Sequence, residues 1–239
     1  MNPVIEISAL DVLTIRLFDR IEEDNLPWLL AAAERLRETF AETLIDLVPA
    51  YTTLMLHYDS CQLDEVRARQ LVSLSLRDLQ PLRSGPGSQH DIPVWFDQSV
   101  GPDLQRIGQR SGLTVAEVVH RFCARTYHAF ALGFAPGFAY LGLVEPVLAT
   151  PRLDTPRHRV PAGSLGIAER QTAIYPLVSP GGWNLIGRTP VRLFDRDRDG
   201  FSLLRAGDRV RFRPIDHSEF LDLSGDDRPL DASESRAGQ

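Results

Sequence analysis

Lysine is absent from this 239-residue chain: all 26 basic residues are arginine. That removes whole classes of chemistry. A Walker A phosphate loop needs its lysine, pyridoxal phosphate needs a Schiff-base amine, and a biotin carrier needs a lysine to modify. Arginine, by contrast, suits two-pronged recognition of carboxylate or phosphate. Cysteine is nearly as scarce. Cys61 and Cys123 stand far apart with no C-x-x-C between them, so a disulfide framework is not expected. The six histidines show no metal-ligand spacing, and a metal site is not expected either. Long apolar runs are missing as well, and none approaches the length that spans a bilayer. Glu6 and Asp11 interrupt the segment from Met1 to Leu17, which lacks the basic-then-apolar order of a secretion signal. The expectation is a soluble, cytoplasmic protein.

What is present is an ordinary globular composition, 43% hydrophobic, with 32 acids and a net charge of −6. Seven of those acids and only two arginines fall in residues 216–239, so the rest of the chain is close to neutral. It offers no basic field, and neither nucleic acid nor an anionic membrane is expected as a partner.

Three stretches differ in organisation. Residues 1–85 read as an α+β domain. Val4 to Ile7 and Val12 to Phe18 look like strands. Leu26, Leu29, Leu30, Ala33, Leu36 and Phe40 then recur at helical spacing. Strands over 44–48 and 51–58 and a helix over 63–79 follow. The order ββαββα suits an antiparallel sheet with helices on one face. Residues 81–90 hold two prolines and two glycines and are the linker candidate. In 86–215, a strand at 92–96 precedes two short helices. The second opens on Thr114 and Glu117, a capping box that points Val115, Val118, Val119 and Phe122 inward. Residues 133–190 then carry eight glycines and eight prolines, too many for long helices. The short apolar runs at 164–168, 173–178 and 191–194 and the alternating 209–213 point to a β-barrel. Residues 216–239 read as a disordered acidic tail.

Several familiar constellations are weak here. Asp195, Asp197, Asp199 and Gly200 match the first half of a calcium loop, but its twelfth position is Ala206, so a charged hairpin loop is expected. Asp154, His158 and Ser164 follow hydrolase order, yet they crowd into eleven residues without a G-x-S-x-G elbow. Ser164 reads rather as a hydroxyl for a ligand or a turn. Nothing near Cys123 lowers its pKa, and it reads as a core thiol. The informative region is the glycine–proline segment. It interleaves the aromatics Phe134, Phe138, Tyr140, Tyr175 and Trp183 with Arg152, Arg157 and Arg188. Either it binds a small anion between aromatic walls and guanidinium forks, or it is a barrel with tight corners.

The strings GFAPGFAYL (133–141), ATPRLDTPRHRVPAGS (149–164), IYPLVSPGGWNLIGRTP (174–190) and GDRVRF (207–212) resemble the B subunit of the prokaryotic 5-oxoprolinase, a family also labelled allophanate hydrolase subunit 1. GLTVAEVV (112–119) is similar too, so the likeness is strong from His90 to Pro214 and looser before it. The resemblance implies an N-terminal α/β domain followed by a cyclophilin-like β-barrel. It implies direct pairing with the C subunit of that enzyme, cooperation with its A subunit, and ATP-driven opening of 5-oxo-L-proline to L-glutamate. ATP and Mg²⁺ would act at the level of the complex, with no activity in this chain alone. Carried over by position, Gly133, Phe134, Pro136, Gly137, Phe138 and Tyr140 would line the barrel mouth. Arg152 and Arg157 would contact the anion, with Ser164, Gln171 and Tyr175 as lining. Ser179, Gly181, Gly182, Trp183 and Arg188 would form a second wall. The catalytic residue itself is not assigned. One departure stands out: Phe122-Cys123 occupies the place of a His-Ser or His-Thr pair common in relatives, leaving His120 or His128 to replace that histidine. The same pattern occurs in urea carboxylases, where paired barrels move a carboxyl group from carboxybiotin, and in inhibitors of a sporulation histidine kinase. Those are the alternative functions.

Overall fold

The computed structural model describes residues 3–82 and 87–230. The chain divides into two compact units, Met1–Gly87 and Ser88–Gln239.

The first unit runs β1 (Val4–Ala9), β2 (Val12–Arg16), α1 (Leu26–Phe40), β3 (Leu44–Ala50), β4 (Thr53–Tyr58) and α2 (Glu65–Ser75). Its strands pair antiparallel in the order β1-β2-β4-β3. Leu13 and Ile15 on β2 and Leu54, Leu56 and Tyr58 on β4 are buried at every second position, the period of a sheet with one covered face. α1 supplies the cover with a stripe of Leu29, Leu30, Ala33, Leu36 and Phe40 and packs on β3, β4 and α2. Pro27 sits in the first turn of α1, where its missing N–H is not needed. Asp64 caps α2 by accepting the Arg67 N–H at 2.8 Å. The order ββαββα and the α+β class are those expected. Of the expected linker, residues 83–86 lie outside the described residues, and Gln89 and His90 already belong to a strand.

The second unit is a closed barrel. Its strands are β5 (Gln89–Trp95), β6 (Thr126–Leu132), β7 (Ala139–Gly142), β9 (Ser164–Ala168), β10 (Gln171–Ile174), β12 (Asn184–Arg188) and β13 (Arg209–Ile215), with β8 (Arg157–Val160) and β11 (Ser179–Gly181) paired apart as a ribbon. The ring order is β6-β13-β5-β12-β9-β10-β7, and β7 pairs back onto β6. Only β5 and β13 run parallel. Ile92, Val94, Leu165, Ile167, Ile186 and Phe212 fill the interior. Two helices lie between β5 and β6: α3 (Leu104–Ser111), which packs on β12, and α4 (Val115–Cys123), which packs on β13. The capping box of α4 is formed. Glu117 accepts the Thr114 N–H at 2.8 Å, and Thr114 accepts the Glu117 N–H at 3.3 Å. Val118 and Phe122 are buried, and Val119 is partly so, whereas Val115 stays exposed because the first residue of α4 faces solvent. Phe122 stacks on Phe212 with centroids 5.1 Å apart.

Three expectations fail in this unit. The run 173–178 is strand only to Ile174 and then turns at Pro176, which has no N–H for a ladder. Residues 191–194 form no strand, only an isolated bridge from Phe194 to Ser202, because the charged loop at 195–200 folds back on itself: Asp195 accepts the Asp197 N–H at 3.1 Å. Nor is the acidic end without structure. Asp216 caps a short helix, α5 (His217–Asp222), Phe220 packs on Trp95 at 5.2 Å, and the Leu230 N–H donates to Ser99 O at 3.0 Å. Charge dominates that stretch in sequence, but Phe220 and Leu230 are apolar anchors within it. Residues 231–239 lie outside the described residues.

Candidate functional site

The loop between β6 and β7 is built by its glycines. Gly137 has φ of +81°, and a Cβ there would stand 2.8 Å from Phe194 Cβ; only glycine fits. Phe134 also sits at positive φ, 76°, a strained position for an aromatic residue, and is 64% exposed. The turn buries Phe138, which meets four other rings: Phe134 at 5.2 Å, Tyr140 at 4.9 Å, Tyr175 at 5.6 Å and Trp183 at 6.0 Å, all edge-on. The exposed Arg152 places its guanidinium 5.9 Å from the Trp183 ring centroid, within cation–π range. The predicted aromatics and Arg152 are thus brought together as one wall. Burial pushes the Tyr175 hydroxyl up to about 12, against a hydrogen bond from the Trp183 backbone; it remains a neutral phenol at physiological pH and is not a base. Gly181 lies against it so closely that a Cβ would fall on the Tyr175 hydroxyl.

Arg157 is not available as an anion contact. It is 6% exposed. Its Nη2 donates to both oxygens of Asp103, at 3.0 and 2.8 Å, and its Nη1 to Trp183 O at 3.2 Å. Asp103 also accepts the Leu185 N–H at 2.7 Å. Asp103 therefore ties α3, β8 and β12 together, and Arg157 is the partner that neutralises it. Nothing in the sequence signalled Asp103, because its partner lies 54 residues away.

Arg188, at the end of β12, is 1% exposed. It stands directly opposite Ser164 in the β9–β12 ladder, and such a pair shares one face of the sheet. Its Nη1 donates to two backbone carbonyls of the chain end, Asp226 O at 2.6 Å and Arg228 O at 2.8 Å. Its Nε and Nη2, and the Ser164 hydroxyl, have no hydrogen-bond partner among the described residues. Burial holds the Arg188 pKa below its ordinary value, opposed by Asp226. Two clefts meet on Arg188 and Asp226. One, of about 690 Å³, includes Pro136, Gly163 and Phe194; the other, of about 420 Å³, includes Arg159, Val178 and Leu230.

The other expected residues are more dispersed. Gln171 pairs with Gly142 and Ala168 on β10. Ser179 and Gly181 lie opposite Val160 and Arg157 in the ribbon, and Gly182 packs on Leu153 and Pro156. Asp154 and His158 are exposed while Ser164 is fully buried, so those three do not form a triad. His120 is exposed and His128 half-buried. Burial pushes the Cys123 thiol up to about 12, which keeps it protonated. Among the described residues no group of three His, Cys, Asp or Glu side chains could hold a metal ion, and no helix is long and apolar enough to cross a membrane.

Residues 3–204 match the family described as carboxyltransferase domain, subdomain C and D. The chain is 34% identical over 216 residues to the 5-oxoprolinase B subunit of Bacillus subtilis (strain 168), covering 86% of this chain and 90% of that one. The crystal structure of TTHA0988 superposes with a TM-score of 0.75 at 40% identity, over 86% of this chain; this chain spans only 40% of that longer one. Kluyveromyces lactis urea carboxylase is similar in fold, with a TM-score of 0.74 at 14% identity over 95% of this chain and 23% of that one.

Proposed function

The chain belongs to the carboxyltransferase-domain family, among relatives named as the B subunit of 5-oxoprolinase, and from that premise we propose that it is the binding subunit of an ATP-dependent 5-oxoprolinase complex. In this reading it pairs with a C subunit, works with an A subunit, and has no activity alone. The substrate is 5-oxo-L-proline and the product L-glutamate.

The observation that carries the reading is the aromatic wall of Phe138, Tyr140 and Trp183 with the exposed Arg152 laid on it. Phe138 and Trp183 are the buried floor of that wall, and Phe134 and Tyr140 carry its accessible ring surface. Its chemistry suits a small flat ring bearing a negative charge, with Phe134 and Tyr140 receiving the apolar face and the guanidinium the charge. A lactam is a poor electrophile, and ATP with Mg²⁺ supplies activation of its oxygen at the level of the complex. Among the described residues no three His, Cys, Asp or Glu side chains gather to hold a metal ion, and no residue of this chain is assigned to ATP or Mg²⁺. Its work is to bind and orient the ring and to exclude water from it. With Tyr175 held neutral and Arg157 paired, no side chain of the wall is a general base, and that group is assigned to a partner.

Reconstitution with candidate A and C subunits, following glutamate from 5-oxo-L-proline, tests this. Glutamate should require ATP and all three chains. Tyr140→Ala and Arg152→Ala should each lower kcat/KM at least tenfold in a complex that still assembles. Glutamate formed without this chain, or undiminished in both variants, overturns the reading. Carboxyl transfer to urea is the second reading, supported by fold alone, and urea with carboxybiotin is its assay.

A further inference from the structure

We propose that Arg188 is a seat for a small carboxylate ligand, and that the chain's own segment 223–230 is a strap that closes it. The Arg188 guanidinium is buried without a direct ion pair among the described residues. A guanidinium 1% exposed is costly to bury without an anion bonded to it; Asp226 and Asp227 favour its charge from nearby, yet among the described residues neither forms an ion pair with it. The Asp226 carboxylate is engaged instead by Arg228 of the same segment, at 2.8 and 2.6 Å. Only the Asp226 and Arg228 backbone carbonyls reach Arg188, both on Nη1.

The unused donors are Nε and Nη2. These two N–H groups lie side by side on one edge of the guanidinium, the edge that meets both oxygens of a carboxylate at once. On the same face of the sheet, directly opposite Arg188 in the ladder, Ser164 carries a partnerless hydroxyl, a third donor. None of these atoms has surface open to solvent, so a ligand reaches them only if something moves. The strap is the element placed to move. It ends on one apolar anchor, Leu230, against the aromatic cluster, and Asp226 stands in both clefts that meet on Arg188. Lifting the strap joins the two clefts with the guanidinium between them. Because 5-oxo-L-proline has one carboxylate, this seat is a second one, distinct from the wall at Arg152, and it rests on the 5-oxoprolinase reading only for the choice of 5-oxo-L-proline as a probe.

The test compares the full-length chain with its Leu230→Glu variant, which loosens the strap, and with a chain ending at Ser224. Calorimetry follows 5-oxo-L-proline, its uncharged methyl ester, and cyclopentanecarboxylate, a carboxylate with no lactam. Both strap variants should bind one or both carboxylates at least tenfold more tightly than the parent. Adding Arg188→Gln should abolish that gain, and the ester should not bind. Cyclopentanecarboxylate binding without 5-oxo-L-proline binding upholds the seat and excludes 5-oxo-L-proline as its ligand. Equal affinity in parent and both folded strap variants, or binding indifferent to Arg188→Gln or equal for the ester, overturns the proposal.

Discussion

Replacing Arg157 by methionine separates a strut from a ligand contact. The residue lies between 149 and 164 among motif residues that read as a binding site, but its Nη2 and Nη1 are taken by Asp103 and Trp183 O, which leaves only a buried Nε without a partner among the described residues. The side chains of the pair are 7% and 11% exposed, so water does little to screen them. Arg157→Met leaves the Asp103 carboxylate buried with one remaining donor, the Leu185 N–H, and Trp183 O without its guanidinium. Breaking a buried pair by removing one partner costs about 3–5 kcal/mol. For a unit of this size, each kcal/mol moves the midpoint by about 2–4 °C, so thermal unfolding should fall by about 6–20 °C. Asp103→Leu combined with Arg157→Met removes both charges together. It should therefore cost less than the two single changes added, and the shortfall is the coupling between them. Unfolding followed by near-UV circular dichroism reads all four chains. A drop of under about 2 °C for Arg157→Met, with ligand binding lost, would refute the reasoning and return Arg157 to the anion site.

Two further predictions concern titration. Hydrogen bonds from Arg228 hold the Asp226 carboxyl down to about 2. A depressed carboxyl stabilises the folded state above its ordinary value and loses that contribution as pH falls through the folded one. The turn within the strap should therefore keep its Asp226–Arg228 pairing at pH 5 and lose it between about pH 4 and 2, while the backbone carbonyls of Asp226 and Arg228 stay on Arg188. Amide exchange at Arg228, whose N–H donates to the Asp226 carboxylate at 3.2 Å, reports it, and loss of that protection above pH 5 would contradict the assignment. Cys61 is exposed while Cys123 is half-buried with its thiol pushed up to about 12. Iodoacetamide at pH 8 should add one group, on Cys61, and reach Cys123 only on unfolding; modification of Cys123 first would contradict its environment.

Much of the architecture was legible from local pattern. The apolar spacing of Leu26 to Phe40 predicted α1 to the residue, and the pairing of Thr114 with Glu117 predicted the start of α4, because both depend on neighbours within one or two turns. The density of glycine and proline in 133–190 pointed to a barrel for an equally local reason: few other structures tolerate so many breaks. The aromatic wall was also legible as a set of residues, though not as a packed arrangement around Phe138. Residues 191–194 misled because apolar composition marks a strand only if another strand is there to pair with it.

Sequence alone determined the chemistry the chain lacks, from its missing lysines, and the order of its helices and strands. Tertiary structure decided which arginine does what. Arg152, Arg157 and Arg188 are indistinguishable in sequence, each set among glycines, prolines and aromatics. Folding lays Arg152 on Trp183 at the surface, locks Arg157 onto Asp103, and buries Arg188 under carbonyls from residues 226 and 228. A guanidinium's role depends on which acceptor reaches it and how much water remains. Both are set by contacts between segments dozens of residues apart, which no local pattern records.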